Sequence, residues 1–171
     1  MSCTNIKEDG TMKSMAMVIR DDGYDRILTP LTFAYVQARR GVQVDILFVL
    51  WAVRVLTKAG VQSLKVDARH AAEEAWRRER LARGGGPVEI DDFLRLLKQT
   101  GKVRFYACSL AAATFEVNDT NLIPEVDGIV DSVWFMQEKA VKAEHCQYLA
   151  LYQQSCHEAQ STCIPFSGNA L

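Results

Sequence analysis

The segment from Val42 to Val49 constrains the fold more than any other stretch of this chain. It holds Val44, Ile46, Leu47, Phe48 and Val49 and is nearly all apolar. A run of that kind indicates a strand covered on both faces, as in parallel sheets. Residues 15–19 (Met-Ala-Met-Val-Ile) form a second short apolar run upstream. Between the two, Leu31, Ala34, Tyr35 and Ala38 fall at helical spacing. Asp25 or Thr29 is placed to cap that helix, with Pro30 in its first turn and Gly41 ending it. Two strands joined by one helix make a right-handed βαβ unit.

The same reading carries downstream. Trp51 to Lys58 is expected as a short helix ending at Gly60. Asp67 to Arg83 is expected as a charged helix, broken by Gly84-Gly85-Gly86-Pro87. Glu89 to Thr100 is amphipathic, with Ile90, Phe93, Leu94 and Leu97 on one side and Gly101 at its end. Val103 to Cys108 reads as a buried strand, followed by a helix to about Val117. Val126 to Val130 is expected as the last, short strand, and Asp131 as the cap of a helix to about Ala143. The pattern predicts a three-layer α/β/α sandwich on a mostly parallel sheet of four to five strands. Residues 1–14 read as a disordered leader, 15–143 as the domain and 144–171 as a Gln-, Ser- and Cys-rich tail that docks on the domain or on a partner.

A formal net charge of −1 over 171 residues gives no sign of a nucleic acid or anionic membrane partner. The longest unbroken apolar run, Ile46 to Val53, falls far short of the ~18–20 residues of a membrane span. The first fourteen residues carry no apolar stretch of signal-peptide type, so a cytoplasmic location is expected. Five cysteines at uneven spacing argue against a disulfide framework there.

Cys108 stands out among them. It ends a buried strand and precedes a helix, so its thiol meets the positive end of the helix dipole, which favours the thiolate. Ligand crevices in α/β proteins lie beyond the carboxyl ends of the strands. Three loops are expected to meet there: Arg20-Asp21-Asp22-Gly23-Tyr24, Leu50-Trp51-Ala52-Val53-Arg54, and Cys108-Ser109-Leu110. A thiolate near Arg20 or Arg54 beside an aromatic wall suits an anionic sulfur species, because guanidinium binds oxyanions well. The opposing reading packs Cys108 and Trp51 into the core and leaves the arginines solvated.

Other chemistries find no support. The chain lacks G-x-x-x-x-G-K-[ST] and a strand-linked G-x-G-x-x-G. His70, His145 and His157 lie outside the predicted loops, so a Cys–His dyad is not expected. Cys146, Cys156 and Cys163 are spaced by ten and then seven, unlike a zinc pattern, and no metal or cofactor is expected. A resolving partner for Cys108 among these three is a minor alternative.

Residues 17–22 (Met-Val-Ile-Arg-Asp-Asp), the helix to Gly41, residues 44–51 ending in Leu50-Trp51, and residues 102–109 (Lys-Val-Arg-Phe-Tyr-Ala-Cys-Ser) resemble the DsrE/DsrF-like family. The resemblance is best to its stand-alone, peroxiredoxin-labelled branch and covers about residues 15–142. It implies a sulfur-relay protein that accepts sulfane sulfur on Cys108 and passes it to a TusA-like or rhodanese-like partner. It also implies a homo-oligomer, often a trimer or hexamer. Cys108 would be the acceptor, with Arg20, Asp22, Trp51, Arg54 and Ser109 around the substrate. The helix Asp67 to Arg83 and the tail do not map onto the family's core motif. A peroxidatic site would need Thr three positions before the cysteine, where Phe105 stands. A rhodanese loop would need glycine after it, and residues 109–113 contain none. A non-enzymatic oligomeric assembly module with a structural cysteine is the alternative, and a flavodoxin-like ligand-binding domain the weaker third.

Overall fold

The computed structural model describes residues 12–149. Five strands form one sheet: β1 (Ser14–Ile19), β2 (Gln43–Phe48), β3 (Val103–Cys108), β4 (Gly128–Val130) and β5 (His145–Leu149). Their order is β4-β3-β2-β1-β5, and every neighbouring pair is parallel. All strands therefore point their carboxyl ends at one edge. Ala107, Phe48, Ile19 and Leu149 make one row across that edge, and Cys108 lies one residue beyond it.

Helices cover both faces. Alternation along a strand sends Phe105 and Tyr106 to opposite sides. The Phe105 side receives α1 (Tyr24–Arg39) and α3 (Ile90–Gln99), which pack on each other through Tyr35 and Phe93 at 6.0 Å between ring centroids. The Tyr106 side receives α5 (Ser132–Phe135) and the π-turn Met136–Ala140, with Phe135 and Trp134 at 5.9 and 5.7 Å from the Tyr106 ring. Phe48, Phe105 and Phe135 are fully buried and fill the two layers.

Several boundaries depart from the sequence reading. Pro30 lies well inside α1 rather than in its first turn, and Gly23 is the N-cap without a side-chain cap. Burial of Ile27, Leu31, Ala34 and Ala38 outweighs the backbone hydrogen bond that Pro30 cannot make. The segment after β2 is a 3₁₀ helix, Leu50–Leu56. The charged stretch splits into a 3₁₀ turn, Ala68–Glu73, and α2 (Glu74–Arg83), with no residue buried in either. The helix after Cys108, α4 (Ser109–Thr114), is shorter than expected, because Glu116 turns the chain at φ 56°. Val126 to Val130 does supply a short strand, β4 (Gly128–Val130), but it is not the last one. His145–Leu149, assigned to the tail by the sequence, forms β5 along β1. Its start is tied down on both sides: the Lys13 amide donates to the Glu144 carboxylate (2.7 Å), and the Glu144 amide donates to the Ser14 hydroxyl (3.2 Å).

Asp67 holds the charged insertion to the domain. Its carboxylate accepts from the Arg69 amide (3.0 Å) and pairs with the Arg69 and Arg26 guanidiniums at 3.2 Å. The Arg69 side-chain hydrogen bond is the main reason that Asp67 is held far below the usual carboxylate range. A depressed folded pKa stabilises the fold above the unfolded value, near 3.8, and that contribution is lost as pH falls through the folded value. The carboxyl NMR signal of Asp67 should therefore stay in its ionised position at pH 3, where an ordinary aspartate is mostly protonated. A midpoint at the ordinary value would contradict this capping arrangement.

Candidate functional site

The three predicted loops do converge at the carboxyl edge of the sheet. The Val49 amide donates to the Ile19 carbonyl (2.9 Å) and the Ala52 amide to the Arg20 carbonyl (3.2 Å), which seams the loop after β2 to the loop after β1. Arg54 reaches Asp22 at 3.7 Å and lies 5.9 Å from the centre of the Trp51 ring. Trp51 in turn rests against Phe115, just past α4, at 4.8 Å between centroids. A continuous strip thus runs from Asp22 through Arg54 and Trp51 to the helix that follows Cys108.

Individual residues are placed as follows. Cys108 is the N-cap residue of α4 and is 6% exposed. It is packed as part of the core, at its rim, opposite Val130 of β4. Ser109 is half-buried at the first position of α4. Trp51 is half-exposed rather than packed inward, which sets aside the core reading for that residue. Arg20 is exposed and makes no ion pair among the described residues, whereas Arg54 is tied to Asp22. Neither arginine hydrogen-bonds to the Cys108 sulfur among the described residues. A shallow cavity of about 190 Å³ opens beside Asp22 and Arg54, walled by Gly23, Gly60, Ser63 and Lys65. Cys108, Trp51, Arg20 and Ser109 do not line it.

Sequence reasoning missed three contributors. Leu50 adopts φ 48° directly after β2, a left-handed conformation uncommon for a branched residue, and the turn presents it to solvent. Phe115 supports Trp51. Gly60 lets the chain return against Arg54: a Cβ there would sit 1.8 Å from the Arg54 carbonyl oxygen. Only Gly60 had a signal in the sequence, and it was read as a helix end. Among the described residues no group of three or more His, Cys, Asp or Glu side chains is arranged to hold a metal ion. No described helix is long and apolar enough to cross a membrane.

No protein-family model matches the sequence, and no curated protein matches it either. Solved structures do. The ychN protein from E. coli superposes with a TM-score of 0.58 at 14% identity, covering 80% of this chain and 99% of that one. The protein of unknown function MTH1491 from Methanobacterium thermoautotrophicum gives 0.49 at 14% identity, covering 79% and 98%. The likeness to ychN speaks to the fold alone.

Proposed function

We propose that the chain is a cytoplasmic sulfur carrier or sulfurtransferase whose acceptor is Cys108. The observation that carries this reading is the position of that thiol. It ends a central parallel strand at the edge where the loops after β1 and β2 meet α4, in a DsrE/DsrF-like fold. Strand carboxyl ends are where such sheets bind what they act on.

The proposed step is thiol exchange. The Cys108 thiolate attacks the sulfane sulfur of a donor persulfide. The donor's sulfur–sulfur bond breaks, the donor leaves as a thiolate, and Cys108 carries the new persulfide. Cys108 is the N-cap residue of α4, so its sulfur belongs to the amino end of that helix. Arg20, free of an ion pair among the described residues, is the guanidinium available to an incoming sulfur anion. Arg54, Asp22 and Trp51 form the fixed wall. A TusA-like or rhodanese-like protein is the expected exchange partner, and a homotrimer or homohexamer the expected assembly.

Burial favours a second reading. At 6% exposure Cys108 also fits a structural role in a non-enzymatic assembly module. Site-resolved mass spectrometry of reduced protein after polysulfide, thiosulfate or tetrathionate separates the two. A mass gain of about one sulfur atom on Cys108, absent in Cys108→Ser, is expected. A gain confined to Cys146, Cys156 or Cys163 would rule out the acceptor assignment.

A further inference from the structure

The cavity beside Asp22 and Arg54 stands apart from Cys108, which does not line it. Its volume of about 190 Å³ is well under the ~300–1,000 Å³ of pockets for drug-sized molecules, so it suits a molecule of a few heavy atoms. It forms where the loop after β1 meets residues 54–65. The Tyr24 amide donates to the Lys65 carbonyl (2.9 Å), and the Val61 amide donates to the Thr57 carbonyl (2.9 Å). These backbone hydrogen bonds hold the wall in place without a ligand.

That wall carries both signs of charge. Arg54 and Asp22 meet at 3.7 Å, too far for a hydrogen bond, and neither side chain makes one among the described residues. Lys65 is exposed, and its ammonium has no ion pair or hydrogen bond among the described residues. The Ser63 hydroxyl donates to the Gly60 carbonyl (3.0 Å), which leaves the Ser63 oxygen as an acceptor. The cavity thus offers two cationic donors, Arg54 and Lys65, and two acceptors, Asp22 and Ser63. Val55 and Leu64 add an apolar portion. A simple oxyanion would meet the two cations but also the Asp22 carboxylate, and a simple amine would face the reverse mismatch. A molecule with both charges close together satisfies all four groups.

We propose that this cavity binds a small free α-amino acid. Standard bond lengths place the ammonium nitrogen of such a molecule about 3 Å from its nearer carboxylate oxygen. Asp22 and Arg54 present opposite charges at a similar spacing, so the two pairs lie antiparallel. The ligand ammonium donates to Asp22 and Ser63. Its carboxylate accepts from Arg54 and Lys65 in charge-assisted hydrogen bonds. Its side chain rests on Val55 and Leu64, and the volume keeps that side chain small. The bound ligand fastens the loop after β1 to residues 54–65. This binding does not depend on sulfur transfer at Cys108.

NMR titration of the full-length protein tests the site. L-Alanine and L-serine should each move the amide signals of residues 22–23 and 60–65 in a saturable way. Their N-acetyl forms lack the ammonium and their amides lack the carboxylate. Each blocked form should bind at least about tenfold more weakly than the free amino acid, through the loss of one charged contact. Lys65→Ala changes an exposed side chain and should weaken binding by about tenfold, with Lys65→Arg restoring it. Asp22→Asn should abolish the preference for the free over the N-acetyl form. Absence of saturable shifts with both amino acids would overturn the proposal. So would equal affinity for inorganic phosphate or the N-acetyl forms, which would make the cavity a plain anion site. Unchanged affinity in Lys65→Ala would remove the carboxylate contact and the proposal with it.

Discussion

Gly60→Ala is expected to destabilise the protein by about 3 kcal/mol, near the top of the range for single substitutions. The added methyl would lie 1.8 Å from the Arg54 carbonyl oxygen and 2.7 Å from both the Arg54 carbonyl carbon and the Thr57 hydroxyl. Two of those are backbone atoms, so no side-chain rotation relieves the clash. The same carbonyl accepts from the Thr57 amide (3.0 Å) and hydroxyl (2.8 Å), and that hydroxyl accepts from the Gly60 amide (3.0 Å). Moving the chain apart breaks this knot and displaces Arg54 from Asp22. Gly86→Ala is the control, since a Cβ there meets nothing within 4 Å and its backbone is not left-handed. Urea denaturation of the two variants checks the prediction. Equal stability would mean that the loop does not close against Arg54.

Lys139→Met is expected to cost about 2–3 kcal/mol, somewhat less than the ~3–5 of a fully buried pair. Asp45 sits in the middle of β2 on the Tyr106 side, and its side chain is 12% exposed. Lys139, on the π-turn, meets its Oδ1 at 3.3 Å and lies 5.5 Å from the Tyr106 ring and 5.8 Å from the Trp134 ring. Oδ1 makes no hydrogen bond, so removing the ammonium leaves the carboxylate in the sheet without its ion-pair partner and with only the longer-range charge of Arg104 on β3. Replacing both residues, Asp45→Leu with Lys139→Met, should recover most of the loss, because the desolvation penalty goes with the charge. Thermal unfolding of the single and double variants measures this directly. If the single change is neutral, the pair contributes nothing to folding.

Much of this arrangement was legible in the residues. The Val42–Val49 run identified a two-sided strand, and Val103–Cys108 repeated the pattern, so a parallel sheet with Cys108 at its carboxyl edge followed. The meeting of the loops after β1, β2 and β3 then follows from topology. β5 was not legible, because an edge strand is paired on one side only and His145 and Gln147 dilute its apolar signal. Its place is set by pairing to β1 and by the Glu144 contacts, neither of which leaves a local pattern. The seams of the site were hidden for a similar reason. Leu50 is exposed through an unusual backbone angle, and Gly60 matters through a contact with a carbonyl group that no composition reveals. The Asp22–Arg54 pair joins loops from two strands, so only the fold brings it together.

The account turns on whether the thiol of Cys108 is used from the folded state, despite its burial. Alkylation of Cys108 by iodoacetamide, followed by mass spectrometry at the single site and compared with the global unfolding rate, measures that most directly. The account predicts modification well ahead of unfolding, with a rate unaffected by stabilising the fold with sucrose or sulfate. Modification no faster than unfolding, and slowed in step with it, would mean that Cys108 is a core residue and that no sulfur passes through it.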